Sequence, residues 1–286
     1  MDFIIKRSAF IILTALLSLT FCACEKVPEE TAVSDSVPFT LTVYDAGKGD
    51  AFLISSPKFN MMLDCGYKDD ADEIIADMMN RNISSLDLLI ISHFDKDHVG
   101  GASKIVKNFN IRRIITSPVT NDDKRTLKFL EALSDKGLKN EIPSSDIEID
   151  GPGFLIRINP PARSDYPDSD DNNSSLLVKV ESDCGSILFT GDAESIRLEE
   201  MLSKDWLDSD VLKFPHHGKE AYKTEELLKK TSPLITILTS SAEEPAESKV
   251  TDILDKNGAK YYDTKDSGQF DIIFDKDGIR ADVQYY

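Results

Sequence analysis

The sequence predicts an α/β fold built as a four-layered αβ/βα sandwich, with two β-rich halves face to face and helices outside. Three observations predict it. Strand-like segments dominate both halves, and helix-like segments fall between them. No internal repeat or second linker divides the stretch from residue 38 to 286. This arrangement suits a sandwich better than a doubly wound parallel sheet.

Residues 1–24 read as a lipoprotein signal peptide. Lys6 and Arg7 give a positive start, and Ala9 to Phe21 is an apolar run too short to span a membrane comfortably. It ends in Leu19-Thr20-Phe21-Cys22-Ala23-Cys24, which resembles a bacterial lipobox. Small Ala23 suits cleavage before Cys24, the expected lipidated residue; Cys22, preceded by bulky Phe21, competes with it. An ordinary secretory signal or an uncleaved anchor is the alternative. Residues 25–37 are acidic, polar and Pro-bearing, the composition of a flexible tether. The expected location is the extracellular face of the bacterial membrane, lipid-anchored or secreted, as a monomer.

Within the domain, Phe39 to Tyr44 alternates as a strand should, and Asp45 to Asp50 is a Gly-rich turn. Ala51 to Ser55 and Asn60 to Leu63 follow as strands, closed by Asp64-Cys65-Gly66. Ala71 to Met79 places Ile74, Ile75, Met78 and Met79 at helical spacing, and these methionines are expected in the core. Leu86 to Ile91 is a buried strand, Ser103 to Phe109 a helix and Ile111 to Thr116 a strand. Asn121 to Lys136 is predicted as a helix with Leu127, Leu130 and Leu133 on its apolar face, stopped by Gly137. Ile142 to Ile149 and Gly153 to Asn159 read as strands. Residues 160–173 form a polar loop whose aspartates match no calcium-loop spacing. Ser174 to Glu181 and Ser186 to Thr190 make a hairpin. Then come a helix (Glu194 to Ser203), a strand (Val211 to Phe214), a short helix (Thr224 to Lys230), a strand (Leu234 to Leu238) and a helix (Glu247 to Lys256). Tyr261-Tyr262 and Gln269 to Phe274 close the chain as strands. Cys65 and Cys184 each precede a turn glycine and are read as unpaired.

Of 286 residues, 41% are apolar, which suffices for a substantial core. The 51 acidic and 33 basic residues leave a net charge of −18, a surface that repels nucleic acid at long range. Any nucleic-acid role therefore needs a local basic or metal-lined site.

The chemistry concentrates where the strand ending at Ile91 meets Ser92-His93-Phe94-Asp95-Lys96-Asp97-His98-Val99-Gly100-Gly101. His93, Asp95, Asp97 and His98 fall within six residues, and imidazole with carboxylate is a ligand set for zinc, manganese or iron. The chain has only four histidines, and the other two are adjacent, His216-His217, after a second apolar strand. A polar loop with two satisfied histidines and an unrelated pair is the plainer reading.

These segments resemble the metallo-β-lactamase-fold hydrolases, and within them the C-terminal hydrolase domain of ComEC-type competence proteins. The resemblance rests on Asp45 to Ala51, Leu63 to Gly66, Ser92 to Gly101, Asn172 to Leu176, Phe189 to Asp192 and Leu212 to Gly218, in that order. It implies that residues 38–286 are one hydrolase domain binding two divalent ions, zinc or manganese. His93 and Asp95 would serve one ion, Asp97 and His98 the other, and Asp192 would bridge them. One of His216 and His217, preferentially His217, would complete the second site. Asp97 and Asp95 are the expected catalytic carboxylates; Asp95, standing where the superfamily has a histidine, would ligate or shuttle protons. Lys48, Asn173 and Ser175 are the expected substrate contacts. No histidine lies between residues 99 and 215, where the superfamily has a further ligand, so the first site should be the weaker and harder in preference. The Gly-His-Pro segment usual in the group is also absent, replaced by Ser240 to Pro245.

The function this implies is an exported, metal-dependent phosphodiesterase acting on DNA or on a cell-envelope phosphodiester. Two ions sharing a water would lower its pKa and hold the resulting hydroxide in line. A lactam, lactone or thioester hydrolase of the same fold is one alternative, and a non-catalytic surface-binding lipoprotein on a decayed hydrolase fold is another.

Overall fold

The computed structural model describes residues 37–164, 166 and 171–283. The expected signal peptide, Cys24 and all of the tether but Val37 lie outside the described residues, as do Asp165, Asp168 and Asp170.

Among the described residues, sixteen strands and eight α-helices, numbered in chain order, build the domain. The first sheet takes β1 (Phe39–Val43), β2 (Ala51–Ser56), β3 (Phe59–Cys65), β5 (Leu88–Ile91), β7 (Ile114–Thr116), β15 (Phe270–Asp275) and β16 (Gly278–Val283). Their spatial order is β16-β15-β1-β2-β3-β5-β7, with β3, β5 and β7 parallel. The second sheet takes β8 (Ile147–Gly151), β9 (Phe154–Asn159), β10 (Leu177–Ser182), β11 (Gly185–Phe189), β12 (Val211–Lys213), β13 (Ile235–Leu238) and β14 (Lys260–Asp263). Its order is β14-β13-β12-β11-β10-β9-β8, and β11 to β14 run parallel. A small parallel pair, β4 (Ser85–Leu86) and β6 (Asn110–Ile111), stands apart.

The two sheets meet over one apolar layer that includes Phe39, Leu41, Val43, Phe154, Phe189 and Phe274. The Phe39 and Phe274 rings stack with centroids 4.1 Å apart. On the outer face of the first sheet lie α1 (Ala71–Asn80), the single turn α2 (Lys96–Val99), α3 (Ala102–Asn108) and α4 (Lys124–Asp135). Outside the second lie α5 (Ser195–Met201), α6 (Thr224–Thr231) and α7 (Ser248–Lys256), and the short α8 (Thr264–Ser267) follows β14. This is the four-layered sandwich; the edge strands β8 and β16 leave alternate residues exposed.

Several details differ from expectation; among them, the strand expected over Leu86 to Ile91 divides into β4 and β5, in different sheets. Helix α4, capped by the Asp123 side chain on the Arg125 amide, buries Thr126, Phe129, Ala132 and Leu133; Leu127 is 53% exposed. Leu127 and Leu130 each follow a buried position by one residue, about 100° round the helix. For the same reason Met78 is buried in α1 whereas Met79 is half exposed. The strand expected from Ile142 starts at Ile147, because Ile142 points to solvent. Strand β16 was not expected, although Ile279, Ala281 and Val283 alternate after the Lys276-Asp277 turn and pack on the core.

The parallel strands decide where the site lies. The loops after β5, β11, β12 and β13 leave the carboxyl ends of their strands, where open α/β sheets place ligands. The turn between β1 and β2 and the end of β3 reach the same place. Gly100 and Gly101 let the loop after β5 close on it: a Cβ on Gly101 would stand 2.3 Å from the Cys65 carbonyl oxygen.

Candidate metal centre

The short turn α2, opened by Asp95, turns Asp97 and His98 inward. Asp192 follows β11, and His217 follows β12 after Pro215. One ligand atom from each of Asp97, His98, Asp192 and His217 lies within 4.8 Å of every other, and all four residues are buried. Two come from the first sheet and two from the second. His217 Nε2 is 2.8 Å from Asp192 Oδ2 and 3.6 Å from Asp97 Oδ2, while His98 Nε2 is 3.3 Å from Asp192 Oδ1.

Whether a cation fits can be judged from the histidines. Ser92 Oγ donates to Asp64 Oδ2 at 2.6 Å, so its oxygen is left to accept from His93 Nδ1 at 3.0 Å. His98 Nδ1 donates to the same Asp64 oxygen at 2.8 Å. Thr239 Oγ1 donates to Asp50 Oδ1 at 2.7 Å and therefore accepts from His217 Nδ1 at 3.0 Å. Each ring is held from behind through Nδ1, and each Nε2 faces the centre. His93 Nε2, His98 Nε2, His217 Nε2 and Asp192 Oδ1 are buried and make no aligned hydrogen bond. Their short mutual contacts suit ligand atoms around a shared cation, so the residues fit a divalent ion.

The charges agree. Burial disfavours ionised Asp192, yet His217 and His98 outweigh it and hold its carboxyl well below the usual range. Burial likewise opposes charge on His217 and His98, but Asp192 with Asp50 raises His217 to about 10, and Asp192 with Asp64 keeps His98 well above its ordinary value. Burial, then the neighbouring His98, pushes His93 down to about 3, so that ring is neutral. Asp97 falls to about 2, because His217 and His98 outweigh its burial. Asp95 rises to about 6 through burial, with Asp97, Asp171 and Asp192 adding to it against the opposing pull of His98.

The expected residues divide into three groups. Asp97, His98, Asp192 and His217 come together. His93 and Asp95 stand beside them, with His93 Nε2 3.8 Å from Asp95 Oδ2, but no further imidazole completes that side. His216 sits at the edge of the cleft instead: its Nδ1 is 3.1 Å from Glu194 Oε1, and its Nε2 is 3.0 Å from Lys219 Nζ and 3.9 Å from Asp192 Oδ2. His216 and His217 both hold positive φ, +46° and +54°, a strained backbone that separates the two rings.

Two of the expected substrate contacts are corrected. Asn173 and Ser175 are buried behind the centre rather than facing a substrate. Asn173 Oδ1 accepts from the Arg197 amide, and Ser175 Oγ accepts from the Asp192 amide, so both brace the loop that presents Asp192. Asn172 instead lines the open cleft of about 360 Å³ over the centre, with Lys48, Tyr67, Asp95, Lys96, Glu194 and Lys219. The sequence leaves open whether Asp50 and Asp64 reach the site or merely hold turns, and it singles out neither Ser92 nor Thr239; a carboxylate in a turn carries no signal of the ring it holds. Cys65 and Cys184 are both free.

Fold and centre together define a metal-dependent hydrolase scaffold. Residues 44–239 match the family model of the metallo-beta-lactamase superfamily, and the chain belongs to that superfamily. Among curated proteins it is similar to ComE operon protein 3 of Bacillus subtilis, 26% identical over 218 residues, covering 68% of this chain and 27% of that protein. It is also similar to Recombination protein 2 of Haemophilus influenzae, 29% identical over 250 residues, covering 84% of this chain and 29% of that protein. The chain thus spans under a third of the length of either relative, and both agree with the ComEC-type resemblance of its motifs. Among solved structures, the metallo-beta-lactamase fold protein YhfI of Bacillus subtilis aligns with a TM-score of 0.57 at 12% identity, covering 82% of this chain and 99% of that one.

Proposed function

We propose that the chain is an exported, lipid-anchored hydrolase of phosphodiester bonds, working with divalent ions held by Asp97, His98, Asp192 and His217, with His93 and Asp95 as a weaker neighbouring pair. The observation that carries the reading is the convergence of those four buried ligand atoms beneath a cleft whose rim bears Lys48, Lys96 and Lys219. A bound divalent ion would supply Lewis acidity and a water of lowered pKa.

The chain's own residues supply the rest. The rim lysines offset the negative field of the molecule locally and suit an anionic substrate. Lys48 Nζ sits 3.3 Å from Glu244 Oε2, an exposed carboxylate that a phosphate could displace. Asp95, raised to about 6 and open to the cleft, can hold or release a proton at its carboxyl oxygen near neutral pH. Asp97 stays ionised and serves the centre. The relatives' names, which speak of a ComE operon and of recombination, favour a nucleic-acid diester, whereas the charge of −18 favours a strand end or a small diester over duplex DNA.

Hydrolysis of bis-p-nitrophenyl phosphate with zinc or manganese tests the reading. Turnover should need the ion and vanish in His98→Ala and Asp192→Ala. Hydrolysis of a lactam or thioester, with none of the diester under either ion, would contradict it.

A further inference from the structure

Lys213 is fully buried on β12 and touches neither the cleft nor the ligand atoms at bonding distance. Its Nζ lies 2.7 Å from Asp50 Oδ2 and 3.9 Å from Asp192 Oδ1. Asp50, equally buried, comes from the β1–β2 turn of the opposite sheet. A buried ion pair is weak evidence for stability, since apolar residues of the same volume often do as well. Its partners indicate another use. Asp50 Oδ1 takes the single hydroxyl proton of Thr239, which leaves the Thr239 oxygen to accept from His217 Nδ1. The same Asp50 oxygen lies 3.4 Å from that nitrogen. The Asp50 amide donates to the Asp97 carbonyl at 3.0 Å, so the turn also holds the loop that carries Asp97.

We propose that Lys213 and Asp50 are positioning residues: a buried clamp between the two sheets that fixes the His217 ring with Nε2 towards Asp192 and Asp97. Lys213 holds the Asp50 carboxylate in place, Asp50 orients the Thr239 hydroxyl, and Thr239 sets the His217 ring. Asp64 does the corresponding work for His98, and Ser92 does it for His93. The assignment rests on the metal-centre reading above.

The test compares Lys213→Met, Asp50→Leu (which removes the acceptor for Thr239 at similar volume) and the double variant with the unaltered chain. Two quantities are read: zinc affinity by competition with a chromogenic chelator, and the thermal midpoint of the metal-free protein. Cobalt(II) absorption reports the geometry of the site. Lys213→Met strands a buried carboxylate and should lower both midpoint and affinity, the affinity by about 10–100-fold. The double variant buries no unpaired charge, so its midpoint should recover. Its zinc affinity should stay weakened and its cobalt spectrum altered, because His217 is no longer set. Recovery of affinity together with the midpoint, or unaltered affinity in every variant, would overturn the clamp. If the unaltered chain takes up neither zinc nor manganese, the metal centre falls and the clamp with it. Should the single variants fail to fold, the double variant alone decides the matter.

Discussion

His93, His98 and His217 reach the centre through the same ring atom. In each, Nδ1 is committed to an oxygen behind the ring and Nε2 faces Asp192 or its neighbours. Without an ion, His98 and His217 are protonated at neutral pH while His93 is neutral. A cation that takes Nε2 of the first two must displace a proton from each. Zinc binding should therefore release about two protons near pH 7 and tighten as pH rises, which calorimetry in buffers of different ionisation enthalpy will read. The sign for the metal-free protein is opposite. His217 rises from 6.5 to about 10 on folding, so its contribution is complete below 6.5 and is lost as pH climbs towards 10. The two adjacent histidines should also separate: His217→Ala should abolish zinc binding, whereas His216→Ala should retain it, as equilibrium dialysis will show. The ligand types were legible in the sequence, because four histidines in two loops left little else to consider. Which of His216 and His217 faces inward was not, since positive φ at both residues is a property of the folded turn.

Among the elements, the loops between strand ends carry the function and the helices carry the packing. Gly191 opens the Asp192 loop at φ +53°, and a Cβ there would lie 2.7 Å from Ser175 Oγ, the group that receives the Asp192 amide. Gly191→Ala should cost about 1–3 kcal/mol through backbone strain and weaken zinc binding as Asp192 shifts; chemical denaturation with and without zinc measures both. Helix α4 gives a purely structural counterpart. Phe129 is fully buried against the first sheet, while Leu127 faces solvent. Phe129→Ala should destabilise by about 3–5 kcal/mol and Leu127→Ala by far less. The sequence located this helix to within three residues but chose a stripe that shares only Leu133 with the buried face, since both stripes run at helical spacing and only packing against the sheet selects one. Strand β16 was lost for a related reason: its polar residues alternate with half-buried ones, and the alternation gains meaning only beside β15.

For the whole molecule, the sandwich places two ligands on each sheet, so an ion at the centre joins the halves. Binding to the folded state alone stabilises it, by about 2.7 kcal/mol when free ion exceeds its dissociation constant a hundredfold. Chelation should accordingly lower the thermal midpoint of the unaltered chain and leave that of Asp192→Ala unmoved. The layered architecture was legible because strands and helices separate clearly by period, and the site was legible because its loops follow apolar strands. What the sequence could not convey was the meeting of residues far apart in the chain, such as Asp50 with Lys213 and Asp64 with His98. The most direct test is metal content: the purified chain is equilibrated with zinc or manganese, dialysed and measured by elemental analysis beside His98→Ala and Asp192→Ala. The unaltered chain should keep at least one ion that both variants lose; a chain that keeps none, or variants that keep as much, would contradict a metal centre at these residues.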